Sequence, residues 1–454
     1  MSALNRGNVQ SLIFGPSPYP ISRHLLFNIP IGASGRHFLL ELLPLVSSGE
    51  LKPGDGPSLV NLSLSWTGLL ALDAFDTMGG VATAAAAFYM FNEPPHAESL
   101  RAVGPSAPET WWGGRFTAND IHVILHAWVK DEEALRAFTS RARDAAARFG
   151  IRELIAASDG ESITGRQIDR QLLHFGYQDG ISHPDIDWDS DIPREGALPR
   201  GDFLLGYPSP HFGTFPDTPP FSDFVRDGSL SAFMLLHQDV AAFNRFLRIN
   251  APAAAPGRSQ ADAEEYLAAK MMGRWRDGTP LALSPEQSNP ALARRDDFDY
   301  ADDLQGVRCP LSAHIRAANA RSQPLNLLNR RLFPGGFPRL LRRGSPYGPR
   351  LEGEADDGRD RGIVGMFLCA NLNKQFYTVM RWLGRTDFSP VFPNPVGQDP
   401  IVGTMEFSGA SPEFLIPRLD GSQLSLNRVV DFVRIQGVSL QFLPSMRCLQ
   451  ALAA

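Results

Sequence analysis

The chain has 454 residues, 43% hydrophobic and 20% charged, a globular composition long enough for two domains of roughly 200 residues each. A formal net charge of −6 gives no reason to expect a nucleic-acid or anionic-membrane partner. Cys309, Cys369 and Cys448 lie far apart without metal-type spacing, which points to a reducing compartment and no disulfide framework. No basic segment near Met1 leads into a long apolar run, and no apolar run reaches ~18 residues; a cytoplasmic location is the expectation.

The elements alternate between strand and helix. "SLIFG" (11–15) and "RHLLFNIP" (23–30) predict strands, and "GRHFLLELLPLVSSG" (35–49) predicts a helix that stops at glycine. "PSLVNLSLSW" (57–66) reads as a strand before the helix-like "TGLLALDAF". "NDIHVILHAWVK" (119–130) alternates as a half-buried strand does. "DEEALRAFTSRARDAAARFG" (131–150) is the clearest helix, acidic in its first turn and closed by glycine, and "IRELIAAS" follows as a strand. A second block repeats the order: strand "GSLSAFMLLHQ", helix "DVAAFNRFLRINA", strand "DRGIVGMFLCANL", helix "NKQFYTVMRWLG", then two closing strands in "DFVRIQGVSLQFLPS". Proline and glycine cluster in 208–224, which marks the boundary between two α+β halves with mixed sheets. The segments 252–300 and 320–360 read as irregular and polar, the kind of long connection that walls a binding site.

Three places carry chemistry. Asp179 stands between Gly176 and Gly180 in the otherwise apolar "FGYQDGISHP". His314, in "CPLSAHIRAAN", has no HExxH or CxxC companions; a single histidine is nevertheless enough to ligate a haem iron. In "RLLRRGSPYGP", glycine and proline follow the arginines at once, so Arg342 or Arg343 is held on a short, restricted segment. A guanidinium there stays charged and stabilises negative charge, but it cannot act as a base.

With these residues the chain resembles the dye-decolorizing peroxidases. It has the GxxDG motif at Gly176–Gly180, the "CPxxAHIR" element at Cys309–Arg316 and the "RxGxPYG" element at Arg342–Gly348. Supporting matches run in family order at 201–207, 238–247, 362–371, 399–403 and 442–445. GxxDG alone is weak; the ordered set is specific. The resemblance implies two ferredoxin-like α+β modules, residues 1–215 and 216–454, with one haem b held mainly by the C-terminal module. It implies His314 as the proximal iron ligand and Asp399 as acceptor for the other ring nitrogen, with Asp179 and Arg342 handling the peroxide. The implied activity is heterolytic cleavage of hydrogen peroxide coupled to oxidation of dyes, phenols or similar organic donors. A haem-binding protein with little turnover is the alternative. Many relatives carry Arg-Lys where this chain has Met234-Leu235; Arg316 is a candidate substitute toward a haem propionate, with exposure on the helix surface as the alternative. Gly365 stands where a bulky residue is common. Oligomeric state is not legible.

Overall fold

β-branched, aromatic and leucine-rich runs become the long strands of the protein, seen here in a computed structural model. The structure describes residues 4–454 apart from 52–53, 76–79, 81–83, 86–87, 89–90, 157–160, 218–220, 328–329, 334, 385–396, 405–412, 428 and 430. The first half contributes β1 (Ile21–Asn28), β2 (Ser58–Leu64), β3 (Val123–Val129), the short β4 (Arg152–Leu154) and β5 (Ile163–Arg166). The second half contributes β6 (Ser229–Gln238), β7 (Leu341–Tyr347), β8 (Gly362–Cys369) and β9 (Val433–Leu443). All belong to one antiparallel sheet in the order β3-β2-β9-β6-β8-β7-β5-β1-β4, and β1 also pairs with β3, so eight of the strands close on themselves.

Strands from each half stay together within this ring: β2-β3-β1-β5 on one side and β9-β6-β8-β7 on the other. The two seams between them are thin. Each rests on one register pair, Phe442↔Leu64 at β9–β2 and Tyr347↔Gly165 at β7–β5. At the second seam the Ser22 and Ser345 hydroxyls hydrogen-bond at 2.5 Å, and a side chain at Gly165 would run into both. The glycine is what lets the strands approach.

Among the helices are α1 (Gly35–Leu42), α2 (Glu132–Arg148), α3 (Val240–Ala254), α4 (Gln260–Met272), α5 (His314–Ala318), α6 (Thr378–Leu383) and α7 (Met446–Ala453). Asp131 and Asp239 cap α2 and α3, each accepting a backbone N–H at 2.9 Å, a contact typically contributing ~1 kcal/mol. α3 and α4 pack on each other, and Phe175 and Tyr177 from the 172–183 turn join their apolar core. Phe175 packs against Phe243 with ring centroids 4.4 Å apart and the rings tilted by 31°. The glycine-bounded turn is thereby clamped to α3. Among the described residues no helix is long and apolar enough to cross a membrane.

Four sequence readings change. "SLIFG" forms a tight 3-10 turn, Ser11–Ile13, rather than a strand. The two closing strands are one, β9, whose register shifts at a bulge between Ile435 and Gly437. The segment read as irregular at 252–300 contains α4, which Ser259 caps by accepting the Asp262 N–H at 3.2 Å. The segment 320–360 contains β7, where Pro346 is tolerated because the seam side of the strand is paired only at Tyr347.

Candidate active site

A cavity of about 680 Å³ opens beside β7 and β8, within the ~300–1,000 Å³ range of small-molecule and cofactor sites. His314, Asp179, Arg342 and Arg343 all line it, so residues far apart in sequence meet in one place. Much of the wall is apolar, with Leu236, Ile363, Phe367, Met380 and Val402 among its side chains, and Met234 and Gly365 also face it.

His314 begins α5. Its Nδ1 donates to Asp399 Oδ2 at 2.7 Å, and Asp399 is buried. The other carboxylate oxygen accepts the Ile401 and Val402 N–H groups at 2.7 and 3.1 Å. The acceptor-only carboxylate fixes the proton on Nδ1, so Nε2 keeps its lone pair for a metal. The pairing expected from "DPIVG" is therefore present as geometry.

Asp179 sits on a turn whose backbone favours glycine at two points: Gly176 has φ +87° and Gly180 φ +72°. The Asp179 N–H donates to Gln171 O at 3.0 Å, the Gln178 N–H to Arg276 O at 2.9 Å, and the Tyr177 hydroxyl to Ala268 O at 2.7 Å. Burial pushes the Tyr177 phenol far above its ordinary range, so it remains a donor. The backbone and the neighbouring ring are thus fully occupied. The half-buried Asp179 carboxylate makes no hydrogen bond or ion pair among the described residues.

β7 separates the two adjacent arginines by strand alternation. Arg343 is buried and donates to the carbonyls of Leu12, Ile13 and Arg342, and burial lowers its pKa to about 10. Arg342 is exposed to the cavity and donates one bond, from Nη2 to Ser182 O at 3.0 Å. Arg342, not Arg343, is the available cation.

Arg316 is placed differently from the expectation. It is absent from the cavity wall, only 1% exposed, and donates to Asp303 Oδ2 (2.8 Å), Cys309 O (2.6 Å), Asp303 O (2.7 Å) and Gln323 Oε1 (2.9 Å). Its guanidinium also lies 4.3 Å from the Tyr300 ring centroid. These contacts commit it to the loop before α5, so a propionate contact by Arg316 does not fit its geometry. The cavity has other cations. Arg321 and Arg274 line it but both pair with Asp296, whereas Arg339 lines it with no side-chain partner among the described residues. Burial lowers the Arg339 pKa to about 10, still cationic at neutral pH. His183, four residues after Asp179, also lines the cavity; nothing in its sequence marked it beyond sharing the turn.

The donor set suits haem. One histidine with a free Nε2 and a carboxylate behind it is an axial-ligand arrangement, the wall is largely apolar, and cavity cations are available for anionic edges.

No family model matches the chain. Peroxidase 2 of Mycetinis scorodonius is 31% identical, across 91% of this chain and 80% of the relative. A dye-decolorizing peroxidase of Mycena epipterygia is 29% identical, across all of this chain and 88% of the relative. A second Mycetinis scorodonius protein, a dye-decolorizing peroxidase, is 30% identical across 64% of this chain, which spans 58% of that relative's length. Among solved structures, a dye-decolorizing peroxidase in complex with 2,6-dimethoxyphenol has a TM-score of 0.78 at 26% identity, covering 99% of this chain and all of the other. An ancestral D-type dye-decolorizing peroxidase reaches 0.81 at 26% identity over the whole of both chains. The chain belongs to the dye-decolorizing peroxidase family and is a peroxidase.

Proposed function

We propose that this chain is a haem b peroxidase, one haem per chain, that reduces hydrogen peroxide and oxidises organic one-electron donors such as dyes and phenols. The observation that supports it most is the convergence of His314, Asp179 and Arg342 on one cavity. The phenol bound in the solved relative supports the donor class. When bound, haem would supply the iron that meets peroxide and the two electrons that break the O–O bond. His314 would ligate it through Nε2, with Asp399 holding the ring, and Arg339 would face a propionate in place of Arg316.

Asp179 takes the proton that peroxide must lose and returns it to the departing oxygen. Its free carboxylate on a clamped turn suits that exchange. Arg342, charged and unpaired by any carboxylate among the described residues, stabilises negative charge on the departing oxygen. We also divide the chain into two ferredoxin-like modules at residue 215. The strand orders β2-β3-β1-β5 and β9-β6-β8-β7, and the β-α-β-β-α-β succession in each half, support this. On that division His314, Arg342 and Asp399 come from the second module and Asp179 from the first.

The test is peroxide-driven oxidation of an anthraquinone dye and of 2,6-dimethoxyphenol by the haem-loaded protein, beside Arg342→Leu. Turnover that Arg342→Leu lowers by on the order of 10²-fold or more agrees with the reading. Haem uptake without turnover would leave a haem carrier, and an unaffected Arg342→Leu would remove the arginine from the chemistry.

A further inference from the structure

Two histidines line the cavity, and the reading above uses only His314. His183 is the other. Its Nδ1 is buried and has no hydrogen-bond partner, and neither ring nitrogen bonds to another described residue. Histidines with a structural task elsewhere in the molecule use a ring nitrogen: His211 on Asp202 at 2.7 Å, His237 on Asp360 at 2.8 Å, His174 on the Tyr347 carbonyl at 2.7 Å. A buried polar nitrogen left unpaired in a cavity wall is costly unless something in the cavity uses it.

The position of His183 is fixed from both sides. The preceding residue, Ser182, accepts Arg342 Nη2 at its carbonyl and donates its hydroxyl to Asp296 at 2.9 Å. The following residue is Pro184, which restricts the His183 backbone. The same turn therefore carries Asp179, the anchor of Arg342 and an imidazole with an unused nitrogen.

We propose that His183 is a second proton-transfer residue for peroxide: its unpaired ring nitrogen takes the peroxide proton, directly or through one bridging water. This rests on the peroxidase reading. One proton leaves the peroxide, and the same proton returns to the departing oxygen, which leaves as water; the two electrons of the cleavage come from the haem. The charges around the ring support a neutral, proton-accepting imidazole. Burial, then Arg343 and Arg342 on β7, lower its pKa below the ordinary 6.5, against smaller opposing effects of Asp179 on its own turn and Asp296. The site so has two bases of different kind, a carboxylate and an imidazole.

Cyanide association tests this without turnover, because hydrogen cyanide, like peroxide, must give up a proton to bind ferric haem. Rates would be measured by rapid mixing from pH 4 to 8 on the haem-loaded protein, Asp179→Asn, His183→Gln and the double variant. The expected result is that Asp179→Asn keeps a rate that falls as pH drops through a value below 6.5. Adding His183→Gln should erase that inflection and slow association by on the order of 10²-fold. Profiles of His183→Gln that superimpose on their parents would overturn the proposal. His183→Asn serves as the second variant should the glutamine variant take up haem poorly. Absence of dye oxidation by the parent protein would reject the peroxidase reading itself, while the cyanide profiles still report on His183.

Discussion

Asp399 receives three N–H groups, two from its own loop and one from His314, and both of its oxygens are needed for them. Replacing it by asparagine keeps the shape but supplies only one acceptor oxygen. If that oxygen stays on the Ile401 and Val402 N–H groups, the new amide NH₂ faces His314 Nδ1. The ring must then move its proton to Nε2, which removes the lone pair a metal needs. Asp399→Asn should weaken haem binding ~10–100-fold, the usual scale for a lost partner behind a metal ligand. Titration of the apoprotein with haem measures this, and an unchanged dissociation constant would mean that the carboxylate does not orient the ring. The pairing could be suspected from "DPIVG" only through family resemblance, since 85 positions separate the partners. Asp179 was easier to find, because φ values of +87° and +72° at Gly176 and Gly180 favour glycine on both sides of it. His183 lay in the same ten residues and went unremarked, because an unpaired ring nitrogen is a property of three-dimensional surroundings.

The elements that hold these residues were legible in proportion to how local their stabilisation is. α2 announces itself by an aspartate cap, acidic first turn and apolar spacing, and β3 by the alternation that predicted a half-buried strand, although the structure buries every one of its residues. α4 did not, because its sequence mixes alanine, acid and tyrosine, and its burial comes from packing on α3. β7 was hidden by its arginines, glycine and proline; only its place between β8 and β5 makes it a strand, and only the strand separates Arg342 from Arg343. α5 is five residues long and has no side-chain cap, so the loop before it must position His314. Asp303 does this by accepting the Arg308 and Cys309 N–H groups at 3.0 Å each, and Arg316 neutralises it in the interior. Arg316→Leu would leave the Asp303 charge buried without its cation, a loss of ~3–5 kcal/mol. Denaturant unfolding of the apoprotein should show that loss directly. If Arg316 acted on a propionate instead, the apoprotein would be unaffected and only haem affinity would fall.

At the scale of the whole molecule, the thin β9–β2 seam is reinforced by a buried polar chain. His24 on β1 faces His126 on β3 in register, with Nδ1 to Nδ1 at 2.9 Å. His126 Nε2 meets the Ser63 hydroxyl of β2 at 2.9 Å, and Ser63 donates to Gln441 of β9 at 2.9 Å. One Nδ1 donates and the other accepts, an arrangement that two charged rings cannot make, because the accepting ring must be neutral. Burial lowers the His24 pKa to about 3, and burial together with the His24 charge holds His126 well below 6.5. Unfolded, both would take up protons near 6.5; folded, they do not, so the unfolded state binds more protons between pH 6.5 and about 3. The contribution to stability is complete above pH 6.5 and is lost as pH falls through that window, by up to ~1.4 kcal/mol per pH unit for each histidine. Urea unfolding from pH 7 to pH 4 should therefore show a steep decline, and the double variant His24→Leu/His126→Gln should flatten it by removing both titrations. Carboxylates titrate alike in both proteins, so the difference between the two slopes belongs to the histidine pair. Parallel slopes would mean that the rings accept protons in the folded state, and the barrel would then owe none of its acid sensitivity to this seam.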